Sequence, residues 1–162
     1  MLIELERFLP YRLSVLTNRV SSAIAETYQQ RFNLTVPEWR VIAVLARHPG
    51  LSAREVSERT RMDAVAVSRA VARLKKAGRV RRETAAGDRR RSILRLSAGG
   101  LRVYRTVAPM ALQYERELLA GLNGKEIELL DSALQKLTAR AEHLGGGPAT
   151  LKQATARKPR PL

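Results

Sequence analysis

Between residues 52 and 78 two helix starts and two helix stops lie so close together that few folds accommodate them. Ser52-Ala53-Arg54-Glu55 is a capping box, in which the serine oxygen and the glutamate side chain each satisfy a backbone donor left open by the first helical turn. The helix it opens ends near Thr60. Arg61-Met62 makes the turn, Asp63 caps the next helix and Gly78 closes it. Two short helices joined by a tight turn, the second longer and basic, form the helix-turn-helix pattern. Val80 to Thr84 and Ser92 to Leu96 then read as strands flanking Ala85-Ala86-Gly87-Asp88-Arg89-Arg90-Arg91. The Gly-Asp turn chemistry and the three arginines predict a basic hairpin wing.

On a helical wheel the helix after Asp63 has two faces. Val67, Val71 and Leu74 cluster on a core side, while Arg69, Arg73 and Lys76 fall opposite them, with Val65 and Ala72 between. Ala66 and Ser68 flank the amino-terminal end. Arg69 can fork to guanine O6 and N7, Ser68 can bond a base edge or a phosphate, and Val65 and Ala66 can meet a thymine methyl. Lys75 and Lys76 suit phosphates, which position without specifying, and Arg54 and Arg73 are counted with the expected DNA contacts. In the wing, Arg90 suits a narrow minor groove, with Arg89 and Arg91 on the backbone beside it.

Charge supports a polyanionic partner. The 162-residue chain holds 30 Lys and Arg against 15 Asp and Glu, a net +15. From Ser52 to Ser97 there are fourteen basic residues, Arg54 among them, against five acidic ones, so nine of the net fifteen charges sit in this segment. Aromatics are only 4% of the chain, too few for a stacking-based reader of single strands. Cysteine is absent, which excludes disulfides, thiolate zinc sites and a thiol nucleophile. Neither a nucleophile elbow, nor metal-ligand spacing, nor a phosphate-cradling glycine loop is present, so the chain reads as neither an enzyme nor a metalloprotein, with no cofactor. The start is acidic where a signal peptide would be basic, and the longest apolar run, Val41 to Ala46, is far short of a membrane span. A cytoplasmic protein without membrane contact is expected.

Helices flank the basic segment. Leu13, Leu16, Val20, Ile24 and Tyr28 recur at three- and four-residue steps and predict a helix over 11–32, broken at Asn33-Leu34-Thr35. Thr35 caps the next helix, with Pro37 in its first turn and Glu38 at the third position, and His48-Pro49-Gly50 stops it. A long helix runs from Ser97 to about Ala120, with a kink expected at Pro109. Asn123-Gly124-Lys125-Glu126 caps a last one, in which Ile127, Leu130, Leu134, Leu137 and Ala141 form a heptad-like seam for another helix. From Gly145 the composition predicts a flexible basic tail.

Leu34-Thr35-x-x-Glu38-Trp39-Arg40-Val41, then Val67-Ser68-Arg69 with Leu74-Lys75-Lys76-x-Gly78, then Asp88-x-Arg90 and Leu96-Ser97-x-x-Gly100 resemble the MarR family of transcription regulators, over residues from about 10 to 143. The resemblance implies a homodimer whose first and last two helices interleave, with one winged lobe per subunit. It also implies that Asp88 holds a nearby arginine while Arg90 enters the minor groove, although Asp88 reads equally as a simple turn former. Ala66 departs from the hydroxyl residue common at that point in the family. Many relatives bind phenolic or aromatic carboxylates between the dimer helices and the winged lobe. Here Tyr11, Arg12 and Trp39 are the candidates to line such a pocket, an arginine pairing with the carboxylate. Core packing for Trp39 and a solvated or interfacial Arg12 are the plainer readings.

The sequence thus predicts a mainly α fold with a small β-hairpin wing, a winged helix-turn-helix flanked by N- and C-terminal dimerisation helices. Residues 1–50 are expected to carry the first helices, 51–97 the DNA-binding lobe, 98–144 the C-terminal dimerisation helices and 145–162 the tail. Leu13 and Leu16 at one end, and Ile127, Leu130, Leu134 and Leu137 at the other, are the expected dimer contacts. The expected function is a homodimeric, sequence-specific repressor of a pseudo-palindromic operator in double-stranded DNA, relieved by a small aromatic effector. The alternative is a non-specific architectural DNA-binding protein using the same basic surface.

Overall fold

The computed structural model describes residues 2–85 and 88–145, and at 85, 88–91 and 145 the backbone alone. The expected flexible tail therefore lies, past Gly145, outside the described residues. Among the described residues, six helices and one hairpin follow in the order α1 (Leu9–Phe32), α2 (Val36–Arg47), α3 (Ala53–Thr60), α4 (Ala64–Lys76), β1 (Val80–Ala85), β2 (Asp88–Leu96), α5 (Ala98–Leu119) and α6 (Gly124–Gly145). The described residues fall into two compact units, divided between Glu115 and Arg116.

Local chemistry explains the element ends. Asn33 stops α1 in the left-handed region at φ 48°, its N–H donating to the Gln29 carbonyl. Glu38 reaches back to the Thr35 N–H at 2.7 Å, and Glu55 does the same for the Ser52 N–H at 2.7 Å, so the two expected capping boxes both form. Asp63 accepts from the Ala66 N–H at 2.8 Å to open α4, and Asn123 and Glu126 bond reciprocally to open α6. Helix α5 continues through Pro109.

The wing is longer than the sequence indicated. Residues 88–91, expected in the connecting turn, are the first residues of β2, and Ala85 pairs with Asp88 across a register shift after Thr84. A short antiparallel bridge ties the hairpin to the end of α2: the Gly50 N–H donates to Leu94 O at 3.0 Å, and the Leu94 N–H to Leu51 O at 2.8 Å. Gly50 sits there at φ +88°, which a side chain would resist.

One apolar core runs through the first unit. It joins Tyr28 of α1, Val41, Ile42 and Leu45 of α2, Val56 of α3, Val67, Ala70, Val71 and Leu74 of α4, Val80, Leu94 and Leu96 of the hairpin, and Val103 and Val107 of α5. Segment 51–97 therefore has no core of its own; α1, α2 and α5 complete it. The apolar stripe of α1 is covered in its second half, where Ala25 and Tyr28 are buried, and open in its first, where Leu9, Leu13 and Leu16 are exposed. In the second unit α6 buries no residue, and Leu130, Leu134 and Leu137 lie exposed along it. No described helix is long and apolar enough to cross a membrane.

Candidate nucleic-acid interface

Helix α4 is held by its apolar face, and what remains faces water. Val67, Ala70, Val71 and Leu74 are buried, whereas Val65, Ser68, Arg69, Ala72, Arg73, Lys75 and Lys76 are exposed. The predicted division of the wheel is therefore the observed one, with Ala70 added to the core side. Val65 is 58% exposed, an apolar side chain left in water on an otherwise polar face, as a surface that meets thymine methyl groups would have it. Ala66 is only half-buried, tucked beside the cap that Asp63 makes on its own N–H.

The other predicted contacts are less uniform. Arg54 lies on the exposed side of α3, with its Nε 2.9 Å from Glu58 Oε1 one turn on. Arg73 is turned toward α2: its Nε lies 3.0 Å from Oε1 of Glu38, the one charged residue buried among the described residues. In the hairpin Arg81 and Arg82 are exposed, and Arg95 Nε pairs with Glu83 Oε2 at 3.3 Å. Asp88, Arg89, Arg90 and Arg91 are strand residues whose side chains lie outside the described set.

The three expected effector residues fall in two places. Tyr11 and Arg12 line a shallow depression of about 400 Å³ along α1, with Val15, Leu16 and Arg19. Trp39 instead borders a smaller pocket of about 150 Å³ between α1 and α2, with Ser21, Ile24, Tyr28, Val36 and Arg40. Its indole stacks on Tyr104 at 6.0 Å between centroids and lies tilted against Tyr28 at 5.8 Å, so Trp39 is both core packing and pocket wall. Arg40 Nη2 reaches Ser21 Oγ at 3.5 Å. Burial raises the Tyr28 phenol above its ordinary pKa of 10.0, with the Arg40 charge acting in the opposite direction. Tyr28 and Arg40 were missed as pocket residues because their neighbourhood exists only where α1 crosses α2.

Comparison with known proteins agrees with this geometry. Residues 32–91 match the model of the MarR family. The chain is 30% identical over 105 residues to the transcriptional regulator HosA of Escherichia coli O127:H6, covering 65% of this chain and 78% of that one. Among solved structures, a MarR/EmrR family transcriptional regulator from Acinetobacter sp. ADP1 superposes with a TM-score of 0.81 at 26% identity, over 87% of this chain and 99% of that one. PcaV, a transcriptional regulator of Streptomyces coelicolor solved in complex with its natural ligand, gives 0.73 at 25% identity over 87% and 99%. These relatives are regulators of transcription, not enzymes. An exposed basic helix set in a shared core, a hairpin wing beside it and these likenesses lead to one assignment: the chain is a DNA-binding transcriptional regulator and belongs to the MarR family.

Proposed function

We propose that the protein is a homodimeric repressor that reads a pseudo-palindromic operator and is released by a small aromatic acid. The observation that carries the reading is α4: Ser68 and Arg69 stand exposed on a helix whose opposite face is wholly committed to the core. Ser68 and Arg69, with Val65 and Ala66, read base edges in the major groove, and Lys76 and Arg54 hold phosphates. Arg90 reaches the minor groove, flanked by Arg89 and Arg91, with Asp88 shaping the wing. Two such lobes related by a two-fold axis would set half-sites about 10 base pairs apart. Segment 51–97 is the DNA-binding part. The helices of 1–50 and 98–144 supply the dimer contacts, through Leu13 and Leu16 and through Ile127, Leu130, Leu134 and Leu137; their exposed apolar rows support this assignment.

The pocket between α1 and α2 supports an effector of one ring. A cavity of about 150 Å³ is the size that accepts a benzene-like molecule. Tyr28 and Trp39 would border its ring, and the Arg40 guanidinium would pair with its carboxylate. Tyr11 and Arg12 belong to the separate depression along α1.

A duplex selected from a random-sequence pool, competed against bulk DNA at physiological salt, tests the reading. The selected duplex should resist competition, and single-ring aromatic acids should release it. Arg69→Ala should erase discrimination at one base pair, at a cost of about 1–3 kcal/mol there. A protein that bulk DNA displaces as readily from every sequence, with Arg69→Ala weakening all DNA alike, would be the architectural alternative.

A further inference from the structure

Glu38 has a connection that the capping of α2 does not require. Its Oε2 accepts from the Thr35 N–H at 2.7 Å and from the Thr35 hydroxyl at 2.8 Å, which satisfies the first turn of α2. Its Oε1 is left to bond Arg73 of the recognition helix at 3.0 Å. We propose that Glu38 is a positioning residue for DNA recognition, and that Arg73 is the tether through which it sets the roll of α4 rather than a contact to DNA. This rests on α4 being the helix that reads base edges.

Apolar packing alone leaves that roll loosely specified. The inner face of α4 is Val67, Ala70, Val71 and Leu74, three of them small, and hydrophobic contact is non-directional. A side-chain tip about 6 Å from the helix axis moves roughly 2 Å for a roll of about 20°. That exceeds the window of about 2.7–3.2 Å within which a hydrogen bond to a base edge holds. Arg73 lies one turn beyond Arg69 on the same side of α4, so fixing it fixes where Arg69 points. A charged hydrogen bond supplies the direction that the valines lack.

Burial decides which task Arg73 performs. The Glu38 side chain is 4% exposed and that of Arg73 59%. A phosphate drawing Arg73 away would strand a buried carboxylate with no partner for Oε1, which is far more costly than losing one exposed ion pair. The exposed end of the pair therefore stays with the buried end, and Arg69 and Lys76 are left to meet the DNA.

The test measures affinity for the selected duplex and for a random duplex across a salt series, in wild type, Glu38→Gln, Arg73→Gln and the double variant. The amide introduced by Glu38→Gln can still accept from Thr35 but presents no charge to Arg73. Each single variant should bind the selected duplex about tenfold more weakly, within the range found for side chains in direct contact. The double variant should be no worse than either, the random duplex should be little affected, and the salt slope should be unchanged. Thermal melting accompanies each measurement: Arg73→Gln strands the buried Glu38 carboxylate and should melt below wild type, whereas the double variant strands no charge, so weak binding by a double variant that melts like wild type is the effect of lost positioning alone. The proposal is overturned if Arg73→Gln lowers the salt slope by about one and weakens both duplexes alike, the mark of a phosphate contact. It is equally overturned if Glu38→Gln binds at full strength. A wild type that prefers no sequence would sink the base-reading assignment as well, whereas full-strength variants of a selective wild type sink only the tether.

Discussion

Gly100 shows how closely one residue can be constrained by its surroundings. The Ser97 N–H donates to the Arg79 carbonyl at 2.9 Å, and the Ser97 hydroxyl to the Gly78 carbonyl at 2.6 Å, which draws the first turn of α5 onto the two residues that lead into β1. A Cβ at Gly100 would land on that Arg79 carbonyl oxygen, a backbone atom that cannot swing aside. Gly100→Ala should therefore destabilise the protein by about 2 kcal/mol despite the gain in helix propensity, measurable by denaturant titration. Leu96-Ser97-x-x-Gly100 was legible in the sequence as a family-like pattern, but the reason for the glycine was not. Tyr28 carries a prediction of a different kind. Its phenol pKa is raised by burial above 10.0, so the folded state holds the neutral form more tightly than the unfolded chain does. Its contribution to stability is complete below about pH 10 and is lost as pH rises through the raised value. An ultraviolet titration should show a tyrosine step above pH 10 that Tyr28→Phe removes.

At the scale of elements, the helices divide by what covers them. Helices α2, α3 and α4 bury an apolar face within their own chain, whereas α6 exposes Leu130, Leu134 and Leu137 at three- and four-residue steps. A row of leucines open to water is an unfinished interface, and a second copy of the chain is the partner proposed above. Leu134→Lys should convert the dimer to monomer, because it would place a charge in an apolar seam. Light scattering of a variant that stays dimeric would rule out α6 as the interface. The stripe itself is legible in the heptad-like spacing, since a helical stripe is a property of the chain's own period. The wing was misjudged for the opposite reason. Polar, turn-forming residues from Ala85 to Arg91 read as a loop, yet pairing with β1 extends β2 back to Asp88. Strand length depends on the partner strand as much as on local propensity.

For the whole molecule, charge dominates behaviour. Nine of fifteen net positive charges fall between Ser52 and Ser97, and the exposed Arg69, Lys75, Lys76, Arg81 and Arg82 display part of that charge on α4 and β1. Six to ten phosphate contacts would cost the complex on the order of 10³ to 10⁵ in affinity between about 50 and 200 mM salt. Fluorescence anisotropy across that range checks this; an affinity nearly flat in salt would mean that the basic surface is not the one that binds.

The sequence by itself determined every helix, the hairpin, the turn between α3 and α4 and the basic character of the exposed face of α4. Each of these rests on signals within a turn or two of chain: Ser52 with Glu55, Thr35 with Glu38, Asp63 with Ala66, Asn33 and Gly78 at helix ends, and a helical period of valines against arginines. The tertiary structure alone decided the rest. It joined segment 51–97 to the core of α1, α2 and α5, separated Trp39 from Tyr11 and Arg12, set Tyr28 and Arg40 around the pocket, and brought Glu38 to Arg73. These pairings connect residues on different helices, and their distances follow from where the helices cross. A local pattern can say which face of a helix is apolar; only the packed core says which other helix that face will meet.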